Sequence, residues 1–105
     1  MKIWIREETL VARLAARKLN AKSVAVVIGH TIHLWNVRRA DFLQSPSWVL
    51  HEVEHVRQFR RYGFLRFTFL YLWESFRKGY HNNRFEAEAR AAENALPDLT
   101  GIEFL

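Results

Sequence analysis

The stretch "WVLHEVEHVRQF", residues 48–59, carries His51, Glu52 and His55 in the pattern His-Glu-x-x-His, inside a run with helical apolar spacing. At about 100° per residue, His51 and His55 stand one turn and roughly 40° apart, so both imidazoles leave the helix on one side. Trp48, Glu52, Val56, Phe59 and Tyr62 fall on that side, while Arg57, Arg60 and Arg61 fall opposite. A polar trio on an otherwise apolar face costs stability unless each group is satisfied. Two arrangements satisfy it: a metal held by the histidines, or a buried hydrogen-bonded network without one. In the first, Glu52 is offset enough to miss the metal yet reach a water beside it, which is the place of a general base.

The flanking residues put this motif in mid-helix. Ser45-Pro46 offers an N-cap with proline in the first turn, and Gly63 offers a stop, which predicts a helix over 46–62. A second aromatic helix follows over 64–78 and ends at Gly79. Another begins after Asn83, runs through "RFEAEARAAENAL" and stops at Pro97. Upstream, "KIWI" (2–5) reads as a strand. A helix over 7–19 follows, with Leu10, Leu14, Val11 and Lys18 recurring at helical spacing and Glu7 and Glu8 in its first turn. "SVAVVI" (23–28) and "HTIHLWN" (30–36) read as strands paired antiparallel around Gly29, with Ile32 and Leu34 alternating against Thr31, His33 and Trp35. The expected fold is α+β, a short sheet or hairpin with about four helices and the motif on the second. At 105 residues, the span 1–105 suits one domain.

Composition narrows the chemistry. The absence of cysteine removes thiol catalysis, disulfides and thiolate metal sites, so a metal has only histidine and carboxylate ligands to use. Sixteen Lys and Arg against eleven Asp and Glu leave a net charge of +5, which favours acidic partners or anionic lipid. Nucleic acid would suit the charge, but no nucleic-acid-binding module accompanies it, and such a partner is not expected. The first twenty residues break any apolar run with Arg6, Glu7, Glu8 and Arg13, so a secretion signal is not expected and the reading is cytoplasmic. "GFLRFTFLYLW" (63–73) contains Arg66 and falls well short of the roughly 20 residues that cross a bilayer. The helix over 64–78 is apolar nearly all round. It belongs to the core, to a homodimer interface, or to a peripheral membrane contact flanked by Arg66, Arg77 and Lys78.

A catalytic zinc site needs a third ligand and keeps a fourth position open. The metzincin pattern requires glycine at 58 and histidine at 61, where Gln58 and Arg61 stand. Downstream candidates are His81, Glu86 and Glu88. Glu86 has a second reading, because Asn83 and Glu86 together form a capping box.

"HEVEHVRQFRRYG" (51–63) and "GYHNNRFEAEA" (79–89) together resemble the gluzincin metallopeptidases over roughly residues 24–95, above all the F-E-x-E-A-D helix of the membrane-associated, prenyl-protease-like branch. They are also similar to a group of small bacterial proteins bearing H-E-x-x-H-V-x-Q-F/Y-x-R-x-G and G-Y-x-N-N-x-F-E-x-E-A. The resemblance implies a zincin-like α+β domain in which His51, His55 and Glu86 hold Zn2+, Glu52 activates water, and Tyr80 or His81 stabilises the oxyanion of a peptide substrate. It implies that Ala89 is small because two helices approach there, and that a strand, "HTIHLWN", pairs with the substrate, with His30 and His33 lining the groove. Arg90 stands where the family has aspartate, and Glu54 where it has an uncharged residue. Asp41, Glu54 and Glu93 are the candidates to orient a ligand histidine in place of that aspartate. The tail "DLTGIEFL" (98–105), with Glu103, is a candidate plug over the site. The expectation is a zinc-dependent peptidase. The alternative is a non-catalytic, metal-containing module that binds a membrane, a protein partner or nucleic acid through its basic aromatic surface.

Overall fold

The computed structural model describes residues 1–95 and 99–105. In chain order the elements are β1 (Lys2–Glu7), α1 (Leu10–Leu19), β2 (Val24–Ile28), β3 (Thr31–Trp35), α2 (Arg39–Leu43), α3 (Pro46–Tyr62), α4 (Phe64–Asn82), α5 (Arg84–Ala92) and β4 (Glu103–Phe104). Among the described residues the fold is α+β, five helices and a four-stranded mixed sheet of order β2-β3-β1-β4. The hairpin turns at Gly29, whose φ of 64° a side-chain-bearing residue adopts at a cost, and Ile28 pairs with Thr31 across it. β1 runs parallel to β3, with Ile5 beside Ile32, and β4 pairs parallel with β1 on its other side.

Strand alternation divides the molecule into two layers. Ile3, Ile5, Ile32 and Leu34 pack with Phe42 of α2 and Val49, Val53 and Val56 of α3, the main core. On the other face α1 lies against Val24, Val26 and Trp35 through Ala12 and Ala16. The leucines that recur at helical spacing in α1 are not its packed residues. Leu10 and Leu14 are 69% and 54% exposed, whereas the two alanines are buried, because only a small side chain lets a helix lie close on a sheet. The helix also starts later than the acidic pair. Thr9 is the N-cap, its Oγ1 accepting the Ala12 N–H at 3.3 Å, so Glu7 and Glu8 precede α1. Their carboxylates instead accept the backbone N–H of Arg39 and of Asn36, each at 2.8 Å, and tie down the entry to α2.

That short helix was not expected, so the motif helix is third in the chain rather than second. Its bounds agree with Pro46 and Gly63 as punctuation. α4 loses helical geometry at Gly79 (φ 80°), and the next helix starts at Arg84 after Asn83. Asn83, fully buried, caps α5 by accepting the Phe85 N–H and donates its amide to Tyr71 O and Ser75 Oγ on α4. Phe59, Phe67 and Phe85 then close a third cluster between α3, α4 and α5. The expected stop at Pro97 lies outside the described residues. The tail does not plug the motif: Glu103 and Phe104 extend the sheet beside β1, at the edge opposite β2.

No described helix is long and apolar enough to cross a membrane. If the alanine face of α1 is the packed one, Ala12→Leu should destabilise by about 1–3 kcal/mol through overpacking. Leu14→Ala, on the exposed side, should stay within about 0.5 kcal/mol. Denaturant titration of both variants checks this, and the reverse order would mean that the leucine stripe is the buried one.

Candidate metal centre

α3 and α5 bring together residues that are 31 to 42 positions apart in sequence. His51 and His55 leave α3 on one face, and Glu86 leaves the first turn of α5 toward them. Both imidazoles direct Nε2 at the same atom: His51 Nε2 lies 3.1 Å and His55 Nε2 3.2 Å from Glu86 Oε1. The other carboxylate oxygen of Glu86 accepts the Tyr71 hydroxyl from α4. Glu86 therefore does not fold back onto the Asn83 amide, and the capping box is half made, by Asn83 alone.

The far side of each ring is held as well. His51 Nδ1 is 2.7 Å from Glu93 Oε2, and His55 Nδ1 is 2.9 Å from Gln58 Oε1. Gln58 is fully buried, and its amide nitrogen donates to Phe85 O and to Glu88 Oε1, each at 3.1 Å. Each imidazole therefore faces an acceptor at both nitrogens, and in the metal-free protein both nitrogens must donate. Burial disfavours that charge, but the bonds to Glu86 and Glu93 and the nearby Glu52 outweigh it and hold His51 up at about 9. His55 is raised for the same reason, with Glu86 the main support against burial. Glu86 resists its own burial through these imidazoles and Tyr71, and is held well below the usual carboxylate range. Burial, followed by the Glu86 charge, keeps the Tyr71 phenol protonated.

Glu52 behaves differently. It is 4% exposed, and its Oε2 has no hydrogen-bond partner. Burial pushes it up to about 7, against the pull of the two histidines, which places its proton exchange at neutral pH. Single ligand atoms of His51, Glu52 and His55 lie within 4.8 Å of one another. The group can hold a metal ion.

The site opens to a cavity of about 370 Å3 between α3 and the sheet. Its walls are Ser23, Val24 and Ala25 from the β2 side, Ser47, Trp48, His51 and Glu52 from α3, and Tyr80 and Glu93. Burial first, then the charges of Glu86 and Glu52, raise the Tyr80 phenol to about 12, so it remains a donor. His81, the other residue expected here, is exposed, is not part of the cavity wall, and offers its carbonyl to Arg90 Nη2 at 2.6 Å. Arg90 thus braces the joint between α4 and α5, and Glu93, three residues on, supplies the carboxylate at His51. Glu88 bonds Gln58 and not a histidine, Asp41 is exposed at the sheet end, and Glu54 is half-buried and outside these hydrogen bonds.

The strand expected to flank a substrate is corrected. β3, with His33 at its centre and His30 in the turn before it, lies between β2 and β1 and has both edges paired, so it has no edge to offer. His33 Nδ1 is instead 3.1 Å from Thr9 Oγ1. β2 is the edge strand on the cavity side.

Nothing among protein-family models, curated proteins or solved structures matches the chain. The reading of the site rests on its own geometry. Gln58 and Tyr71 were not singled out as site residues from sequence. A phenol on the inward face of an apolar helix requires a partner, and an amide three residues after a buried histidine is within hydrogen-bonding reach of it. Those two signals were present.

The pH dependence follows from the shifts. His51, raised from 6.5 to about 9, stabilises the metal-free fold fully below pH 6.5, and that contribution is lost as pH rises through 9. Glu52, raised from 4.5 to about 7, costs stability progressively as pH rises through that range, and the cost remains at higher pH. Glu86, lowered, stabilises above its ordinary 4.5 and loses that contribution in acid. With chelator present, denaturant titration should therefore show maximal stability near pH 5 and a loss of roughly 3–6 kcal/mol by pH 9. A profile flat from pH 5 to 9 would show that the histidines are not charged in the fold.

Proposed function

We propose that the chain is a zinc-dependent peptidase of gluzincin type, with His51, His55 and Glu86 as the zinc ligands and Glu52 as the general base. The observation that carries this is the convergence of two Nε2 atoms on one carboxylate oxygen at 3.1 and 3.2 Å, while both Nδ1 atoms are already held. Ligand bonds of 2.0–2.1 Å in a tetrahedron give a ligand-to-ligand edge of about 3.3 Å, and the two nitrogen-to-oxygen distances are compatible with that edge. Two carboxylates are in reach of the histidines. Glu86 is the closer, and Glu52 keeps an unpartnered oxygen beside the cavity. That difference divides ligand from base.

Zinc at such a site supplies Lewis acidity and lowers the pKa of water. Glu52, with its unpartnered Oε2 beside the cavity, takes a proton and returns it to the departing amine. Glu93 and Gln58 fix the ring orientations, which keeps each Nε2 directed inward. Tyr71 holds Glu86 from behind. Tyr80, protonated and facing the cavity, donates to the carbonyl oxygen on which charge develops. An extended peptide lies along the free edge of β2, where main-chain N–H and C=O groups are available for pairing.

The variants separate the roles. Glu52→Gln should retain one equivalent of zinc and lose hydrolysis of a mixed peptide library by roughly a thousandfold or more. His51→Ala and Glu86→Ala should each lower zinc affinity by at least about a hundredfold. Zinc retention by the wild type with no cleavage of any peptide would leave a structural metal and remove the peptidase. Full zinc affinity in Glu86→Ala would remove the ligand assignment.

A further inference from the structure

α4 presents two opposite faces. Phe67, Leu70, Tyr71 and Glu74 turn inward, toward α3 and α5. On the other side Leu65, Phe69, Leu72, Trp73 and Phe76 fall within about 100° of arc, and no described element covers them. Leu65 is 82%, Phe69 66% and Phe76 84% exposed, and Phe69, Trp73 and Phe76 stack successively with ring centroids 6.5 and 6.3 Å apart. Five large apolar side chains in one stripe form a patch of the kind that soluble surfaces avoid unless something docks on it.

We propose that this stripe docks on an anionic lipid surface, with α4 lying in the plane of the interface. Charge selects the occupant. Arg66 and Arg77 border the stripe on one side and Lys78 follows at the end of the helix, while the sole acid of α4, Glu74, faces inward and is paired with Lys78 at 3.5 Å. The exposed face therefore combines Leu, Phe and Trp with cations and carries no carboxylate, which complements a headgroup layer of negative charge. A second copy is a poorer match. A second stripe brings its own Arg66 and Arg77 and no outward α4 carboxylate to pair with them. The net charge of +5 adds a long-range attraction of the same sign. The helix is not long and apolar enough to cross the bilayer, so the contact is peripheral.

Flotation of the full chain with vesicles tests this independently of the metal, since it can be run in chelator. Binding to 1:1 phosphatidylglycerol–phosphatidylcholine vesicles should be at least tenfold tighter than to pure phosphatidylcholine and should weaken at high salt. Phe69→Ser with Phe76→Ser should lower it at least tenfold, and Arg66→Glu with Arg77→Glu should abolish the preference for anionic lipid. Circular dichroism and the melting temperature of each variant should match the wild type, since these side chains touch little of the fold. Sedimentation velocity without lipid should give a monomer. A folded wild type that ignores anionic vesicles, binding indifferent to both variants, or a stable dimer dissociated by the Phe69 and Phe76 substitutions would each overturn the proposal, the last by making a second copy the occupant.

Discussion

One buried carboxylate joins three helices. Glu86, 3% exposed, stands at the start of α5, takes both Nε2 atoms from α3 on one oxygen, and takes the Tyr71 hydroxyl from α4 on the other. An ionised carboxylate in that position is tolerable only with full compensation. Much of the surrounding arrangement serves that end. Asn83 sets the start of α5 and binds it to α4, and Gln58 and Glu93 lock the rings from behind. In the metal-free protein the compensating charge is that of the imidazolium rings. The same cluster of imidazole and carboxylate groups could hold a metal ion once the imidazoles lose their protons.

The parts legible in the sequence were those governed by local rules. Pro46 and Gly63 bracket the motif helix, Gly79 and Asn83 separate the next two, and Ile32 and Leu34 alternate inward as period-two patterning requires. The motif spacing placed His51 and His55 together, and Glu93 was among three candidates for orienting a histidine. What the sequence hid depends on distance in space. Which face of α1 is buried turned on how closely a helix can lie on a sheet, so Ala12 and Ala16 prevailed over Leu10 and Leu14. The identity of the edge strand depended on β1 entering beside β3, a pairing with no local signature. Gln58 looked like a departure from another family's glycine, and its role became visible only with Phe85 and Glu88 next to it.

The two departures from the gluzincin pattern have ordinary explanations. Arg90 is engaged with the His81 carbonyl, and the carboxylate at His51 comes from one turn further along, at Glu93. Glu54 is outside the cluster. At position 52 a buried carboxylate with one unpartnered oxygen lowers stability. The exposed aromatic stripe of α4 is a second such expense, on the opposite face of a helix whose inner face carries Tyr71.

Whether His51, His55 and Glu86 together hold one cation is tested directly by X-ray absorption at the zinc edge of the zinc-loaded protein. The account predicts one equivalent of zinc with four nitrogen or oxygen neighbours at about 2.0–2.2 Å and outer-shell scattering from two imidazoles. In Glu86→Ala the occupancy should collapse. Scattering from three or more imidazoles, six neighbours at longer distance, or the same shell retained without Glu86 would contradict it.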